Sequence, residues 1–123
     1  MRVIPHAKQR YDTVGDWRFT RNGDLEITVS KLSDPRYETA IGIHELYEAI
    51  ACKQAGISEK DVTAFDVAYE LRRKPDDISE PGDDPKAPCH YQHVAATKLE
   101  RLYIELQGLD WEAYNTEVEK VHK

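Results

Sequence analysis

Segment 42–52 carries polar side chains whose types and spacing suit metal chemistry. His44 and Glu48 are four residues apart, so on an α-helix they stack along one face. An imidazole nitrogen and a carboxylate oxygen on successive turns are two ligands that a divalent metal accepts. Glu45 follows the histidine directly and reaches toward the same point. The segment therefore predicts half of a metal site; the alternative is an amphipathic helix with one incidental histidine.

A second pair of histidines, His90 and His93, is spaced for one turn of a later helix. If that helix packs antiparallel to or across the first, both pairs fall within the roughly 5 Å that a first-row metal shell spans. The predicted ligand set is then His44, Glu48 and one or both of His90 and His93. Nitrogen and oxygen ligands without thiolate favour Zn²⁺, with Mn²⁺, Fe²⁺ or Ni²⁺ as rivals.

Glu45 is the predicted catalytic group. If only three protein ligands bind, water takes the fourth position, and zinc lowers the pKa of that water to about 7. Glu45 lies beside the first ligand but points in another direction, so it is predicted to orient the water as a general base. The sequence thus predicts a divalent-metal-dependent hydrolase. The alternative is a non-catalytic accessory module that binds a host protein or small ligand, with histidines that are structural or that hold a metal without catalysis.

Two resemblances accompany these residues. The segment from Gly23 to Ala55 resembles a minimal zincin, a strand followed by an active-site helix that carries His44-Glu45-x-x; Glu48 stands where the family's H-E-x-x-H motif has its second histidine. This resemblance implies that the strand lies beside the substrate and that the glutamate activates water. The run 80–85, Glu-Pro-Gly-Asp-Asp-Pro, before Pro88-Cys89-His90-x-x-His93 is similar to small uncharacterised proteins of phages and prophages, which implies no known activity.

A competing interpretation starts from carboxylates. Glu45-x-x-Glu48 together with Asp66 and Glu70 resembles the all-α nucleotide pyrophosphohydrolases, which hold Mg²⁺ on such residues to cleave a nucleotide triphosphate. The alternative for Glu70 is an ordinary helix-surface ion pair with Arg73 or its neighbour Lys74.

The elements that must position these residues form an α+β fold, an N-terminal antiparallel β-hairpin packed on a bundle of about four α-helices. Asn22-Gly23 marks the hairpin turn between segments 16–20 and 25–32. A three-residue loop, 21–23, collects the apolar side chains on one buried face. That register pairs Phe19 with Leu25 and Trp17 with Ile27, adds Val29 to the buried face, and turns Glu26, Thr28 and Ser30 to solvent. Segment 3–11 is predicted to be a short strand or a loose lead-in.

The helices are predicted at about 35–55, 58–73 and 88–107, and from Asp110 to near the C-terminus. Asp34, Ser58 and Asp110 are the expected N-caps. The first helix should face the core with the apolar stripe Ile43, Leu46, Tyr47 and Ile50. The acidic, proline-rich loop 75–88 is predicted to be a flexible connector, or a fixed lid edge that brings Asp83 or Asp84 toward the site.

Composition limits the function classes. With 123 residues the chain is predicted to be one domain, a hairpin region 1–32 and a helical region 33–123. The net charge of −6 and the absence of a basic stripe argue against nucleic acid as a partner. No signal peptide or membrane span is expected, and Cys52 and Cys89 are expected to be buried and reduced, which favours the cytoplasm (that of the host cell if the protein is phage-encoded). An unidentified substrate or host protein, and a second copy in a homodimer, are the expected partners.

Overall fold

The computed structural model describes residues 1–77 and 79–122 as a three-stranded sheet and four helices, so the predicted α+β class is confirmed. The segments 6–8 and 81–83 form short 3₁₀ turns. The strands are β1 (Arg2–Ile4), β2 (Gly15–Phe19) and β3 (Leu25–Ser30), and the helices are α1 (Pro35–Gln54), α2 (Glu59–Arg72), α3 (His90–Leu106) and α4 (Trp111–Val121).

The β2–β3 hairpin has the predicted register. Phe19 pairs with Leu25 and Trp17 with Ile27, and Gly23 at the turn has a φ of 87°. Glycine adopts this left-handed conformation without the steric cost that a Cβ brings, which is why a three-residue loop can close here. Cross-strand pairs of aromatic and aliphatic side chains then cover one face of the sheet.

The prediction that Ser30 points to solvent is wrong. β1 adds to β3 in parallel, giving the strand order β1-β3-β2, and Ser30 is fully buried. Its hydroxyl lies 2.9 Å from Nδ1 of His6, in the segment that follows β1. On the same side, Thr28 donates to the side-chain carbonyl of Gln9 at 2.9 Å. The chain before the hairpin therefore covers the face of the sheet that the sequence pattern left open.

The same early segment meets the end of the chain. His122 Nε2–H donates to the backbone carbonyl of Asp12 at 3.1 Å. The ring centroids of His6 and His122 lie 6.5 Å apart, edge to face. The residues around β1 and those at the end of α4 thus share one patch of the molecule.

Three of the four helices begin directly after their predicted N-cap residues. The side chains of Asp34, Ser58 and Asp110 each accept a hydrogen bond from a backbone N–H in the first turn of α1, α2 and α4. The pairs His44–Glu100 and Glu48–His93 show that α1 and α3 run antiparallel.

The prediction for the inward face of α1 is wrong. Leu46 is 49% exposed and Ile50 40% exposed, and Tyr47 is also exposed. The buried face instead carries small residues together with His44 and Glu48. Small side chains let α1 lie close to both the sheet and α3, and the buried polar groups are acceptable because they hydrogen-bond to one another. Besides His44 and Glu48, the buried face of the helix contains Glu38, Ala40, Ile41, Gly42, Ala49 and Cys52.

The core joins the sheet to the helices. Cys52 and Cys89 are buried free thiols within it, as expected. In the described part of the chain, no helix is long and apolar enough to cross a membrane. The core cluster comprises Val14, Trp17, Ile27, Val29, Leu32, Ala40, Ile41, Ala49, Cys52, Val62, Cys89, Ile104, Tyr114 and Val118.

Candidate metal centre

His44, Glu48 and His93 form a buried group whose donor atoms all lie within 4.8 Å of one another. His44 Nε2 is 3.2 Å and His93 Nδ1 is 3.1 Å from the same oxygen, Oε2 of Glu48. Helix α1 supplies the first two side chains from successive turns, and α3 supplies the third from the antiparallel helix beside it. The structure thus brings together residues from both predicted pairs, and the group could hold a metal ion.

Only one histidine of the second predicted pair joins the group. His93 turns inward to the group, whereas His90 Nδ1–H donates to the backbone carbonyl of Gly82 at 2.9 Å. His90 is half-buried, and its ring lies against Tyr91 at 5.4 Å between centroids. In the described residues, the buried donor group therefore contains three of the four predicted ligands.

The outer nitrogen of His44 has a carboxylate partner. Nδ1–H donates to Oε1 of Glu100 at 2.8 Å, and the other oxygen of Glu100 accepts from the hydroxyl of Tyr114. A histidine that binds a metal commonly donates its second N–H to a carboxylate in this way, which fixes the ring and the tautomer. The arrangement leaves Nε2 as the nitrogen available to an ion.

The outer nitrogen of His93 is held in the same manner by the loop before α3. Nε2 lies 3.2 Å from Oε2 of Glu80 and 3.3 Å from Oδ1 of Asp83. Between these two residues, a Cβ on Gly82 would come within 2.3 Å of Cγ of His93, so this approach requires glycine. Part of loop 75–88 is thus packed on the group through Asp83, whereas Asp84 accepts from the backbone N–H of Lys86.

The sheet positions Glu48 from the opposite side. Trp17 of β2 donates its indole Nε1–H to Oε1 of Glu48 at 3.1 Å, in a buried contact. That hydrogen bond satisfies one carboxylate oxygen and leaves Oε2 to the two imidazoles. The hairpin therefore contributes directly to the geometry of the group.

Glu45 stands beside the group without belonging to it. Its Oε2 lies 3.8 Å from Nε2 of His44, and its side chain is 12% exposed. A Cβ on Gly15 would lie 2.8 Å from Cγ of Glu45, so a glycine in β2 makes room for this side chain. Burial and the neighbouring charge of Glu48 raise the pKa of Glu45 well above its ordinary value. This is the position that the prediction of a proton acceptor next to a metal requires.

Acidic side chains outnumber basic ones around the group. Burial opposes ionisation of Glu48, but hydrogen bonds from His44 and His93 outweigh it and hold the pKa of that carboxyl far below its usual range. Against the effect of burial, hydrogen bonds to Glu100 and Glu48 raise the pKa of His44, and those to Asp83, Glu48 and Glu80 raise the pKa of His93. Five carboxyl groups converge on two imidazoles, so even with Glu45 protonated the acidic groups outnumber the basic ones, an excess of negative charge that a divalent cation would neutralise. These carboxylates belong to Glu45, Glu48, Glu80, Asp83 and Glu100.

A cavity of about 70 Å³ opens beside the group and has room for a few water molecules. Glu45 and Asp66 line it. The hydroxyl of Tyr11 donates to Asp66 Oδ2 at 3.1 Å, and burial, with the charge of Glu48, raises the pKa of Asp66 to about 7. Glu70 also lines the cavity, but Arg73 holds both of its oxygens, at 2.7 and 2.8 Å, as the ion-pair alternative predicts.

Sequence reasoning did not assign Glu100, Tyr114, Trp17 or Glu80 to the centre. Glu100 had a signal, since it follows His93 by seven residues and so lies on the same face of α3. The other three come from different elements, and only the packing of α4, the sheet and the loop brings them in.

A second set of donor atoms lies within 4.8 Å, from Asp12, Glu70 and His122. Its members already have partners, because Arg73 holds Glu70 and the imidazole of His6 lies 2.7 Å from Asp12 Oδ1. We therefore regard it as an ion-pair network at the meeting point of the chain's early segment and α4.

No model of a protein family matches this chain, no curated protein is similar to it, and no solved structure matches its fold.

Proposed function

We propose that this protein is a divalent-metal-dependent hydrolase of zincin-like type, with zinc as the first candidate ion. Its ligands are His44 Nε2, Glu48 Oε2 and His93 Nδ1, and Glu45 is the general base. One observation carries the proposal: three donor atoms lie within 4.8 Å of one another, and a further carboxylate approaches His44 Nε2 to 3.8 Å.

The chemistry follows from these roles. A bound ion of this kind lowers the pKa of a coordinated water. Glu45, whose raised pKa in the metal-free protein the charge of the ion would lower, would take the proton of that water and pass it to the leaving group. Glu100 and Trp17 keep His44 and Glu48 in place through hydrogen bonds of 2.8 and 3.1 Å. Gly15 keeps β2 close to the base without a clash.

A non-catalytic module whose fold is stabilised by a metal is the second candidate. The enclosure of the group favours it, because His44, Glu48 and His93 are each more than nine-tenths buried and the cavity that all three line is only about 70 Å³. Structural metal sites are closed in this way, whereas catalytic sites keep an open position.

The pyrophosphohydrolase alternative has less support. It needs free carboxylates on α2, and Arg73 occupies both oxygens of Glu70. The accessory module without a metal, the phage or prophage origin, the cytoplasmic location and the partners remain predictions.

Metal content is the first test. We expect untagged protein to carry about one equivalent of zinc or a similar ion, measured by elemental analysis. His93→Asn should abolish retention of the ion. His90→Asn is the matched control, because it removes a histidine from the same helix that lies outside the group, and it should retain the metal. Wild-type protein that neither carries nor takes up a divalent ion would refute both metal-dependent functions.

Glu45→Gln separates the two candidates. The substitution keeps the shape of the side chain but removes its basicity, so the metal should stay while hydrolysis of ester, peptide and phosphodiester test substrates falls by at least 100-fold. If the wild-type protein hydrolyses none of these classes, or if the variant is as active as wild type, the structural-metal candidate replaces the hydrolase.

A further inference from the structure

A second cavity, much larger than the first, lies between α2, the loop before α3, and helices α3 and α4. Its volume is about 970 Å³, and it shares His93, Glu80 and Glu100 with the small cavity over the candidate metal centre. Cavities of several hundred cubic ångströms are typical of small-molecule sites. A ligand in this space would lie next to the metal-binding group.

The walls of the large cavity are acidic. Besides the imidazoles of His93 and His122, the described lining residues include two basic side chains, Arg73 and Lys74. Arg73 is engaged by Glu70 at 2.7 Å and by the carbonyl of Asp77 at 2.8 Å. Carboxylates from five parts of the chain outnumber these groups, namely Asp12, Glu70, Asp77, Glu80, Asp83, Glu100 and Glu119.

Two of these carboxylates share one donor. Glu80 and Asp83 both approach Nε2 of His93, at 3.2 and 3.3 Å, and their side chains are 42% and 55% exposed. Oδ2 of Asp83 also accepts from the backbone N–H of Glu80 at 3.2 Å, and the side chain of Glu80 accepts from the backbone N–H of Asp83. Two carboxylates offer about eight lone-pair sites, so beyond these contacts and the shared imidazole the pair still has acceptor capacity for a ligand. That capacity faces the cavity at the point nearest the metal-binding group.

Other residues that line the cavity are apolar. Val67 and Leu71 of α2 face the cavity, and Leu71 is 83% exposed. Trp111 and Val118 of α4 complete this side. Alkyl and aromatic surface next to paired carboxylates is suited to a ligand with a hydrocarbon body and a cationic end.

We propose that this cavity binds an organic cation, a primary ammonium or guanidinium group on an apolar chain, with the charged end at Glu80 and Asp83. The inference deepens the proposed function, on which it rests for the claim that the bound cation is the substrate. The same chemistry occurs in the lysine or arginine side chains of a peptide and in free alkyl amines and diamines. Binding itself does not depend on the metal chemistry.

Titration calorimetry and amide chemical shifts on the purified full chain test the proposal. The probes are n-butylamine, 1,5-diaminopentane and N-acetyl-lysine amide, with 1-butanol as the neutral isostere. We expect the amines to bind at least 10-fold more tightly than butanol and to weaken as salt increases. Tighter binding of the lysine amide points to a peptide source, and tighter binding of the diamine to a free amine. Equal binding of butylamine and butanol, or none by either, overturns the proposal.

Variants locate the site. Glu80→Gln combined with Asp83→Asn should weaken amine binding at least 10-fold. Because both residues also contact His93, Glu119→Gln, on the α4 wall, provides a second variant and should weaken binding several-fold. Glu112→Gln is its control, since Glu112 is exposed on the same helix and does not line the cavity. If Glu119→Gln and Glu112→Gln behave alike and the double variant binds as wild type does, the cavity is not the site.

The two proposals can fail separately. Protein that binds amines but takes up no divalent ion keeps the cation site and loses the hydrolase. Protein that carries the metal yet does not discriminate butylamine from butanol loses the cation site and keeps the metal function.

Discussion

Each imidazole of the candidate centre has one nitrogen turned toward Glu48 and the other turned toward a second carboxylate. For His44 the second partner is Glu100, and for His93 it is Glu80 with Asp83. Because both nitrogens of each ring have a carboxylate partner, the orientation of the ring is fixed before a metal binds. If the group holds a metal, its affinity would therefore depend on these outer carboxylates as well as on the three donor residues.

Replacing Glu100 with glutamine tests this restraint. The amide keeps an oxygen toward His44 but loses the charge that favours its Nδ1–H, so we expect metal affinity to fall about 10- to 100-fold without a change in stoichiometry. Competition against a chromophoric chelator measures the constant. Glu105→Gln serves as the control, because Glu105 is exposed on the same helix and lies 3.7 Å from Arg101. Equal affinities for the two variants would show that Glu100 does not restrain the ligand.

Asp66 should make stability depend on pH in chelator-treated protein. Burial, with the charges of Glu48 and Asp16, raises its pKa to about 7, against smaller opposing effects of Tyr11 and His93. An unfolded carboxyl releases its proton near pH 4, so the folded state binds more protons between about pH 4 and 7. Stability is therefore lost as pH rises through that window.

Asp66→Asn removes the free-energy cost of ionising this buried carboxyl group. The variant should be more stable than wild type at pH 8, by an amount on the order of 1–3 kcal/mol, and the difference should shrink toward zero near pH 4. Urea unfolding at pH 5 and pH 8 measures both values. A difference that is the same at the two pH values would contradict the elevated pKa.

At this scale three of the four residues that the sequence predicts as ligands lie together in the buried group. The i, i+4 spacing of His44 and Glu48 determines their shared face whatever the fold. Whether His90 or His93 faces them depends on the rotation of α3 about its axis, which spacing alone does not specify.

Among the elements, α1 shows how an apolar stripe can mislead. Leu46 and Ile50 have the spacing of a core face, yet they are exposed, while Glu38 and His44 are buried. The buried polar groups have partners on other elements, as in the hydrogen bond from the backbone N–H of Leu32 to Glu38 at 2.9 Å. Such partners offset the cost of desolvation, and a single-sequence pattern does not reveal them.

The sheet, too, was only partly predictable from the sequence. The β2–β3 register was predictable, because the turn chemistry of Asn22-Gly23 and the pairing of Trp17 with Ile27 both favour one alignment. β1 was not, since residues 2–4 are too few for an alternating pattern. Its parallel pairing depends on contacts with β3, about two dozen residues away.

The turn at 81–83 is sensitive to a single added methyl group. Gly82→Ala would put a Cβ 2.3 Å from Cγ of His93, so we expect the histidine to shift and metal affinity to fall at least 10-fold. Gly56→Ala is the control, since it strains a backbone with a φ of 74° but meets nothing within 4 Å. It should cost about 1 kcal/mol of stability and leave metal affinity unchanged. Wild-type affinity in Gly82→Ala would show that the turn does not hold His93 in place.

At the scale of the whole molecule, many of the acidic side chains behind the net charge of −6 lie around the candidate metal centre and the large cavity. Five carboxylates surround the imidazoles, and further acids line the large cavity that opens beside them. Net charge of one sign near a cleft raises the local concentration of oppositely charged ligands. Both a divalent ion and an organic cation would be drawn to this side of the protein.

The contact of residues 6–12 with the end of α4 suggests that the order of the elements along the chain can be changed. Because the rings of His6 and His122 lie 6.5 Å apart, and the five residues before His6 span at most about 18 Å, a flexible linker of roughly 15 residues could join residue 122 to residue 1. The chain could then be reopened at the exposed bend between α1 and α2, near Gly56. We expect such a circular permutant to fold and to bind the same ion with an affinity within a few-fold of wild type. Circular dichroism together with a metal titration measures this, and a permutant that stays unfolded would mean that the α1–α2 connection must be intact for the sheet and helices to assemble.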